Sequence, residues 1–493
     1  MVPIRTWRLA AGACLGLLAA CAVGPEFKRP ELEPALQYAA VSAPVAEDQF
    51  AADSTAQRVR IGVALSHDWW RLFQSEAMNA IVQRALLRNR SLAAAAAALD
   101  QADALTQAQR ATRAPRLDAN LSAGRQKYGS ALLGTPTSLP PFTYFSIGAT
   151  VSYALDYTGG VARSLEQRQA LREYQRNQLE AARLAVSGNA VTLILRIASI
   201  RAQLVTAEKL LDRDHENLSL VETAFEAGSA ARLDVVTARS QLAEDMTALP
   251  PLRKDLAVAS HALSVLTGDL PTANQLPEID LAHLTLPQDL PVSVPSELAR
   301  RRPDIRAAES QLHAATAAVG VATSNLYPHI ELSASVGQQA VIIGQLFNHD
   351  ARTWGLTSSL LGPIFDGGAL RAERRAAMEV MHASLANYEQ TVLEAFAQVA
   401  NALEALAQDG EELQAQSRAE AAARDAVELT RQSYQEGGVT VLQVLDAERQ
   451  LQRVKLGHVR AVAQRYVDTV QLLLAVGPDA AASPGPDAAA SGG

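Results

Sequence analysis

The 493-residue chain is poor in aromatic residues (5%), modest in charge (19% Asp, Glu, Lys and Arg) and carries two cysteines, Cys14 and Cys21. Basic side chains are in deficit, 44 against 52 acidic, for a net charge of −8. That balance excludes a sequence-independent nucleic-acid binder, which needs surplus Lys and Arg to displace counterions, so no nucleic acid is expected as partner. No uncharged apolar run reaches the roughly 18 to 20 residues of a membrane-spanning helix. The longest, Leu9 to Gly24, is shorter, so a membrane would have to be crossed by strands. The HExxH, CxxC, GxSxG, GxxxxGK and GxGxxG patterns are missing, and the nine histidines include no pair at i, i+4. No catalytic, metal-binding or cofactor-binding constellation stands out, and the expectation is a protein that is not an enzyme and holds no cofactor. Apolar side chains are plentiful: 48% of residues are hydrophobic and the mean hydropathy is +0.00, which excludes bulk disorder.

Arg5 and Arg8 precede the short apolar stretch Leu9 to Ala20, the charged and hydrophobic regions of an export signal. The stretch ends Leu18-Ala19-Ala20-Cys21, which resembles the lipobox of bacterial lipoproteins. Residues 1–20 are then a signal peptide and Cys21 the acylated mature N-terminus. Cleavage removes two arginines and no acid, moving the net charge from −8 to −10, and leaves one cysteine, so no intramolecular disulfide can form. Ala22 after the cysteine, by the same resemblance, sorts the protein to the outer membrane. Each buried methylene of an acyl chain contributes about 0.8 kcal/mol, enough for stable anchoring with several chains.

The rest of the chain uses one pattern twice. At an offset of 209, Phe225 and Gly228 fall on Tyr434 and Gly437, and Leu233, Val235, Ala238 and Gln241 fall on Leu442, Val444, Ala447 and Gln450. At 213, Leu92, Leu99, Pro115, Leu117 and Gly124 fall on Ile305, Leu312, Pro328, Ile330 and Gly337; at 208, Gly159-Gly160 falls on Gly367-Gly368. A period this long means duplicated architecture and overrides the two to four independent domains that length alone suggests. The expected organisation is an N-terminal extended segment over 21–66, a first repeat over 67–270, a Pro-rich linker over 271–303, a second repeat over 304–477 and a disordered tail over 478–493.

Long helical periodicity dominates each repeat. Leu385, Tyr388, Val392, Phe396, Val399, Leu403, Leu406, Gly410 and Leu413 form a heptad seam with one extra step of four, and Leu179 to Ala207 shows the same series. No proline lies between Gly368 and Gly437, which allows an unbroken helix of about 65 residues, roughly 100 Å long. Ala-rich seams suit side-by-side packing into a wall. Two segments per repeat switch to period two: 117–124 and 144–155, then 330–337 and 353–361. The hairpins are expected at about 116–156 and 329–362. Strands of nine to eleven residues match a tilted transmembrane strand. Four of them cannot close, and an open edge in lipid leaves backbone groups unsatisfied, so transmembrane strands would require oligomerisation. Three chains giving twelve strands make a reasonable minimum for an open pore.

Gly228 and Gly437 each sit between two long helical patterns, where a tight reversal needs positive φ. Asp234 and Asp446 are helix-start acids favoured by the macrodipole. Trp69-Trp70 is expected to close a helical interface, Arg300 to Arg302 to be solvated charge at a helix start led by Pro303, and Pro250-Pro251 to interrupt the first return helix.

The segments 21–27 (CAVGPEF), 68–73 (DWWRLF), 155–159 (LDYTG), 301–309 (RRPDIRAAE) and 363–368 (PIFDGG), with the two tips around Gly228 and Gly437, resemble the TolC-like outer-membrane efflux lipoproteins of the OprM and NodT kind, which serve RND-type pumps. The resemblance implies an α+β membrane protein: a homotrimer whose twelve-stranded outer-membrane β-barrel, four strands per chain, continues into a long periplasmic α-helical coiled-coil barrel. It implies a passive duct for small molecules, closed at its periplasmic end and opened when a periplasmic adaptor (membrane fusion protein) and inner-membrane pump dock. By resemblance the tips form the aperture, with Asp234 and Asp446 ringing the lumen and Arg232 and Tyr434 in the contacts that hold it shut. One departure stands out: the family's gate has a basic residue just after the second-tip glycine, where this chain has Gly438, Val439 and Thr440. The rival reading of the heptads is a periplasmic coiled-coil adaptor or scaffold lipoprotein without a pore.

Overall fold

The computed structural model describes residues 23–30, 57–63, 65–127, 140–273, 277, 279–292 and 295–478. The export signal and Cys21 fall outside these residues, as does the tail beyond 478. The elements, in chain order, are β1 (Arg58–Ile61), α1 (Glu76–Arg88), α2 (Arg90–Ala111), β2 (Arg116–Gln126), β3 (Phe142–Leu155), α3 (Gly160–Glu226), α4 (Arg232–Met246), α5 (Leu249–Leu266), β4 (Asp289–Val292), α6 (Pro295–Arg301), α7 (Pro303–Ser324), β5 (His329–Ala340), β6 (Arg352–Leu361), α8 (Ala369–Gln435) and α9 (Val441–Val476). They group into two compact units, one of residues 1–30, 98–176 and 307–389, the other of 31–97, 177–306 and 390–493.

The first unit is built on a four-stranded antiparallel sheet in the order β2-β3-β5-β6. Arg116 lies opposite Ser152 and Leu155 opposite Ile330, while His329 lies opposite Leu361. Each hairpin leads into a helix capped by an aspartate. Asp156 accepts from the backbone N–H groups of Val161 and Ala162, and Asp366 from those of Gly368 and Leu370, which satisfies donors that a helix start leaves free. Residues 23–30 strap across the start of α3 and run back along α7 from Gly320 to Glu309. Val23 donates to the Thr158 carbonyl (3.0 Å), Gly24 meets Gly320 so closely that a Cβ would lie 2.5 Å from the Gly320 Cα, and Phe27 stacks on His313 at 4.4 Å. Arg29 closes the strap on Glu309 at 2.7 Å.

The second unit is a helical bundle. Its core includes Trp69, Phe73, Met78, Ile194, Leu195, Leu263, Leu472 and Leu473, all essentially inaccessible. Trp69 and Trp70 are buried in it, with the Trp70 indole N–H donating to Asn79 Oδ1. The seam of α8 turns Val392, Val399, Leu406 and Leu413 inward, and that of α3 turns Leu179, Val186, Ala190 and Ile197 inward. Within α3 one stretch is apolar and long enough to cross a membrane by length and composition; half of it is buried inside the protein, as in a core helix. The first return path is split into α4 and α5 at Thr247-Ala248, so the prolines 250 and 251 occupy the first turn of a new helix, where their missing N–H groups cost nothing. The second return, α9, is unbroken over 36 residues.

Two expectations need correction. The Pro-rich stretch 271–303 is more than a connector: β4 pairs in parallel with β1, Arg58 opposite Asp289 and Ile61 opposite Val292, and α6 follows. Arg302 is also not solvated. It is buried, donating to the Ala475 carbonyl (2.8 Å), Gln398 (2.8 Å) and Asp304 (2.7 Å). The last carbonyls of α9 carry the negative end of the helix dipole, and a guanidinium there meets both orphan acceptors and charge.

Candidate functional site

Strand pairing places directly opposed residues on the same face, so the register sorts the sheet's side chains into two surfaces. One carries Leu117, Leu121, Ile147, Val151, Leu332, Val336, Trp354, Leu356 and Leu360; the other carries Asp118, Asn120, Ser122, Ser146, Thr150, Ser333, Ser335, Thr357 and Ser359. The apolar surface is uncovered in the single chain: Leu121 is 78% exposed and Trp354 82%. A soluble protein rarely displays a contiguous apolar patch of this kind. The outer edges of β2 and β6 have no strand beside them among the described residues, leaving rows of unpaired N–H and C=O groups.

At the other candidate site, the hairpin tips, Gly228 (φ 77°) and Gly437 (φ 75°) adopt the left-handed conformation that a reversal between helices requires. Asp234, in the first turn of α4, accepts from the Ala231 N–H at 2.9 Å and so caps the helix start, where alanine itself offers no side-chain acceptor. Arg232, Tyr434 and Asp446 are exposed. Among the described residues no hydrogen bond or ion pair joins any two of Arg232, Asp234, Tyr434 and Asp446. Ion pairs just behind the tips hold each hairpin together instead. Arg239 on α4 donates to Glu222 on α3 (3.1 and 2.6 Å), and Arg431 on α8 donates to Glu448 on α9 through Nε (3.0 Å) and Nη2. Glu448 is buried and also meets Arg213 of α3 at 3.6 Å. Between the tips Val221, Val235 and Ala238 form an apolar cluster against which Leu218 and Leu442 pack. Sequence reading missed these pairs although a signal existed: at the repeat offset, Glu222 falls on Arg431 and Arg239 on Glu448, so the same contact recurs with its charges exchanged.

Deeper in the bundle lie two clusters of acids. Burial first, and then the neighbouring Asp245, push Asp214 up to about 6. Burial would raise Asp245 as well, but hydrogen bonds from Gln241, Asp214 and Arg449 outweigh it and hold that carboxyl below its usual range. Arg449 sits 3.2 Å from Asp245 and 3.6 Å from Asp214. Asp409 on α8 is pushed up to about 7, by burial first and then by Asp468 across from it on α9, with Arg465 opposing and Glu412 adding to the rise. Arg465, itself buried, donates to Gln57 Oε1 (3.1 Å). None of the acids, histidines or cysteines among the described residues gathers into a group of three or more suited to a metal ion.

The model of the family "Outer membrane efflux protein" matches residues 81–269 and 294–478. The chain is similar to the pyoverdine export outer membrane protein OpmQ of Pseudomonas aeruginosa, with 34% identity over 418 residues, 83% of this chain and 86% of that protein. Outer membrane protein OprJ of the same species is 30% identical over 464 residues, covering 93% of each. Among solved structures, the outer-membrane channel OprN has 30% identity and a TM-score of 0.81 over 93% of this chain and 99% of that one.

Proposed function

We propose a passive, trimeric duct as the working form of this chain, which belongs to the outer membrane efflux protein family. Its role is that of an outer-membrane efflux channel. The reading of how it works is carried by one observation: a four-stranded sheet with one apolar face, one polar face and, among the described residues, two open edges. In hydrocarbon each unsatisfied backbone group costs several kcal/mol, so such a sheet is tolerable only when its edges meet other strands. Three copies would supply twelve strands, with the apolar face to lipid and the hydroxyl-rich face to a water-filled lumen. The apolar side chains of β3 from Phe145 to Leu155 span ten residue steps, about 34 Å along the strand and about 25 Å of height at a tilt of about 40°, the height of an outer-membrane apolar band.

Cys21 would anchor the assembly. Val23 is tied to Thr158 at the junction of β3 and α3, so two residue steps, at most about 7 Å, would separate the acylated cysteine from the membrane end of the sheet. The hairpin tips would form the periplasmic aperture and meet an adaptor and an RND-type pump, with Asp234 and Asp446 setting the charge of the opening and Arg232 and Tyr434 lining it. Acid rings favour cations. The chain would do no chemistry of its own; energy enters at the pump.

The test is conductance. Purified protein in planar bilayers should give discrete, small steps, and Asp234→Asn with Asp446→Asn should change cation selectivity while keeping the acceptor that caps α4. Absence of steps from an assembled oligomer, or extraction of a monomer without detergent, would favour the adaptor or scaffold reading.

A further inference from the structure

The apolar face of the sheet carries charge at one end only. By the register, that face takes the odd positions of β2 and β3 and the even positions of β5 and β6. Arg125 and Arg352 are the only charged side chains among these strand residues, and both stand at the end where loops join the strands. The acids of the sheet, Asp118 and Glu331, lie on the polar face, toward the helices. The internal repeat sharpens the observation. Arg125 lies opposite Thr143 in the first hairpin, and their counterparts 213 and 209 residues later are Gln338 and Arg352, opposite each other in the second. Each hairpin therefore sets one guanidinium and one neutral hydrogen-bond donor at the same level, with the arginine on the other strand.

Aromatic rings mark the depth. Trp354, 82% exposed, stands two residues below Arg352 on the same strand and face, and Phe145, opposite Ala123, stands two residues below Thr143. Such rings gather where hydrocarbon gives way to headgroups. Two residues are about 7 Å along a strand and about 5 Å of height at a tilt of about 40°, so both guanidiniums reach the headgroup level while their stems lie along the apolar face. Among the described residues neither guanidinium makes an ion pair or hydrogen bond. Asp350, the acid nearest Arg352 in the sequence, is exposed and turned toward His349 (3.9 Å). Interfacial water alone would accept either sign of charge on either hairpin. A guanidinium fork flanked by a neutral donor and without a carboxylate suits a phosphate, which it can bind bidentately.

Resting on the lipid-facing sheet proposed above, we infer that Arg125 with Thr143, and Arg352 with Gln338, bind the phosphate groups of a lipid A-type glycolipid in the outer leaflet. The occupant follows from the placement. The long helices leave the sheet at its other end, toward the periplasm in the proposed duct, so the loop end meets the outer leaflet. Lipids of that leaflet carry phosphates on a sugar headgroup above several acyl chains. Below Arg352 the bare apolar side chains of Trp354, Val336 and Leu356 lie where those acyl chains would run.

The probe is lipid A itself. The full protein, purified in detergent, is titrated with lipid A and binding is read by native mass spectrometry, against Arg125→Gln with Arg352→Gln and against Arg116→Gln, which removes a guanidinium from the polar face. The double variant should bind at least about fivefold more weakly, and Arg116→Gln should stay within about twofold of the unaltered protein. Lipid A stripped of its phosphates should bind the unaltered protein at least about fivefold more weakly too, a comparison that needs no variant to fold. Equal affinity of the unaltered protein and the double variant, or of lipid A with and without its phosphates, would overturn the site. Cardiolipin bound as tightly as lipid A would overturn the choice of occupant. Flotation with neutral phosphatidylcholine liposomes tests the reading beneath: protein left at the bottom of the gradient overturns the lipid-facing sheet, whereas protein that floats but binds lipid A without regard to its phosphates overturns this inference alone.

Discussion

Leu121 is the most informative position at which to ask what covers the sheet. It stands at the middle of β2, on the apolar face, opposite Ile147 and 78% exposed in the single chain. If that face met water, replacing an exposed leucine by arginine would change stability by no more than about 0.5 kcal/mol. If it meets lipid at the midplane, Leu121→Arg costs about 2 to 4 kcal/mol per chain, which three copies multiply to roughly 6 to 12 kcal/mol per assembly. Asn120→Arg, one residue away on the polar face, is the matched control and should stay near zero. The cost should also depend on depth: Trp354→Arg, near the loop end of β6, should lose only about 0 to 1 kcal/mol. Urea unfolding in liposomes measures these differences. Equal stability of Leu121→Arg and Asn120→Arg would refute a lipid-facing sheet, because no aqueous environment makes so large a difference between adjacent exposed sites.

Two further outcomes concern the helical bundle. Asp409 is held near 7, above its unfolded value, so its protonated form is favoured by the fold; that contribution is complete below about pH 4 and is lost as pH rises through 7, with an upper bound of about 4 kcal/mol. Asp409→Asn keeps the neutral shape and should raise the melting temperature at pH 8 by several degrees while changing it little at pH 5; an equal shift at both pH values would contradict the assignment. Glu448→Gln removes the carboxylate shared by Arg431 and Arg213, and with both guanidiniums left beside a buried site it should cost about 1 to 3 kcal/mol and speed proteolysis at the second tip. Arg239→Gln, at the exposed counterpart, should cost under about 1 kcal/mol in the same digestion assay.

What was legible in the sequence followed from periodicity. The helices α3 and α8 are each 67 residues long, and seam positions such as Val392, Val399 and Leu406 repeat over many turns, so the signal accumulates and no proline interrupts it. The strands were legible because one face needs leucine and valine and the other accepts serine and asparagine. Less could be read where the partner lies far along the chain. Arg302 finds its acceptor at Ala475, 173 residues away, and nothing near Arg302 distinguishes it from the solvated Arg300. The β1–β4 ribbon joins two four-residue strands separated by more than two hundred positions, one of them containing Pro291, where local propensity argues against a strand. The gate residues were placed by resemblance; the geometry gives Asp234 a capping bond and adds tip ion pairs at Glu222, Arg239, Arg431 and Glu448.

The two repeats differ in a patterned way. In the sheet they keep one register along both hairpins, with serines and glycines substituting freely on the polar face. At the tips and return helices they diverge: α4 and α5 are split where α9 is continuous, the hairpin ion pair has reversed polarity, and only in the second pair is the carboxylate buried and shared with Arg213 of α3. Closure supplies a reason. In the proposed ring the sheet would have to join itself, so drift in register would be penalised in every copy at once. Helix tips meet no such requirement, and unequal hairpins let one be held more weakly than the other. The first hairpin, clasped by an exposed pair worth under about 1 kcal/mol, can loosen while the second stays fixed through Glu448. In the proposed aperture the first hairpin would be the one to move, and the charge exchange would keep each hairpin from trading partners with its neighbour, since Arg239 would meet Arg431 and Glu222 would meet Glu448.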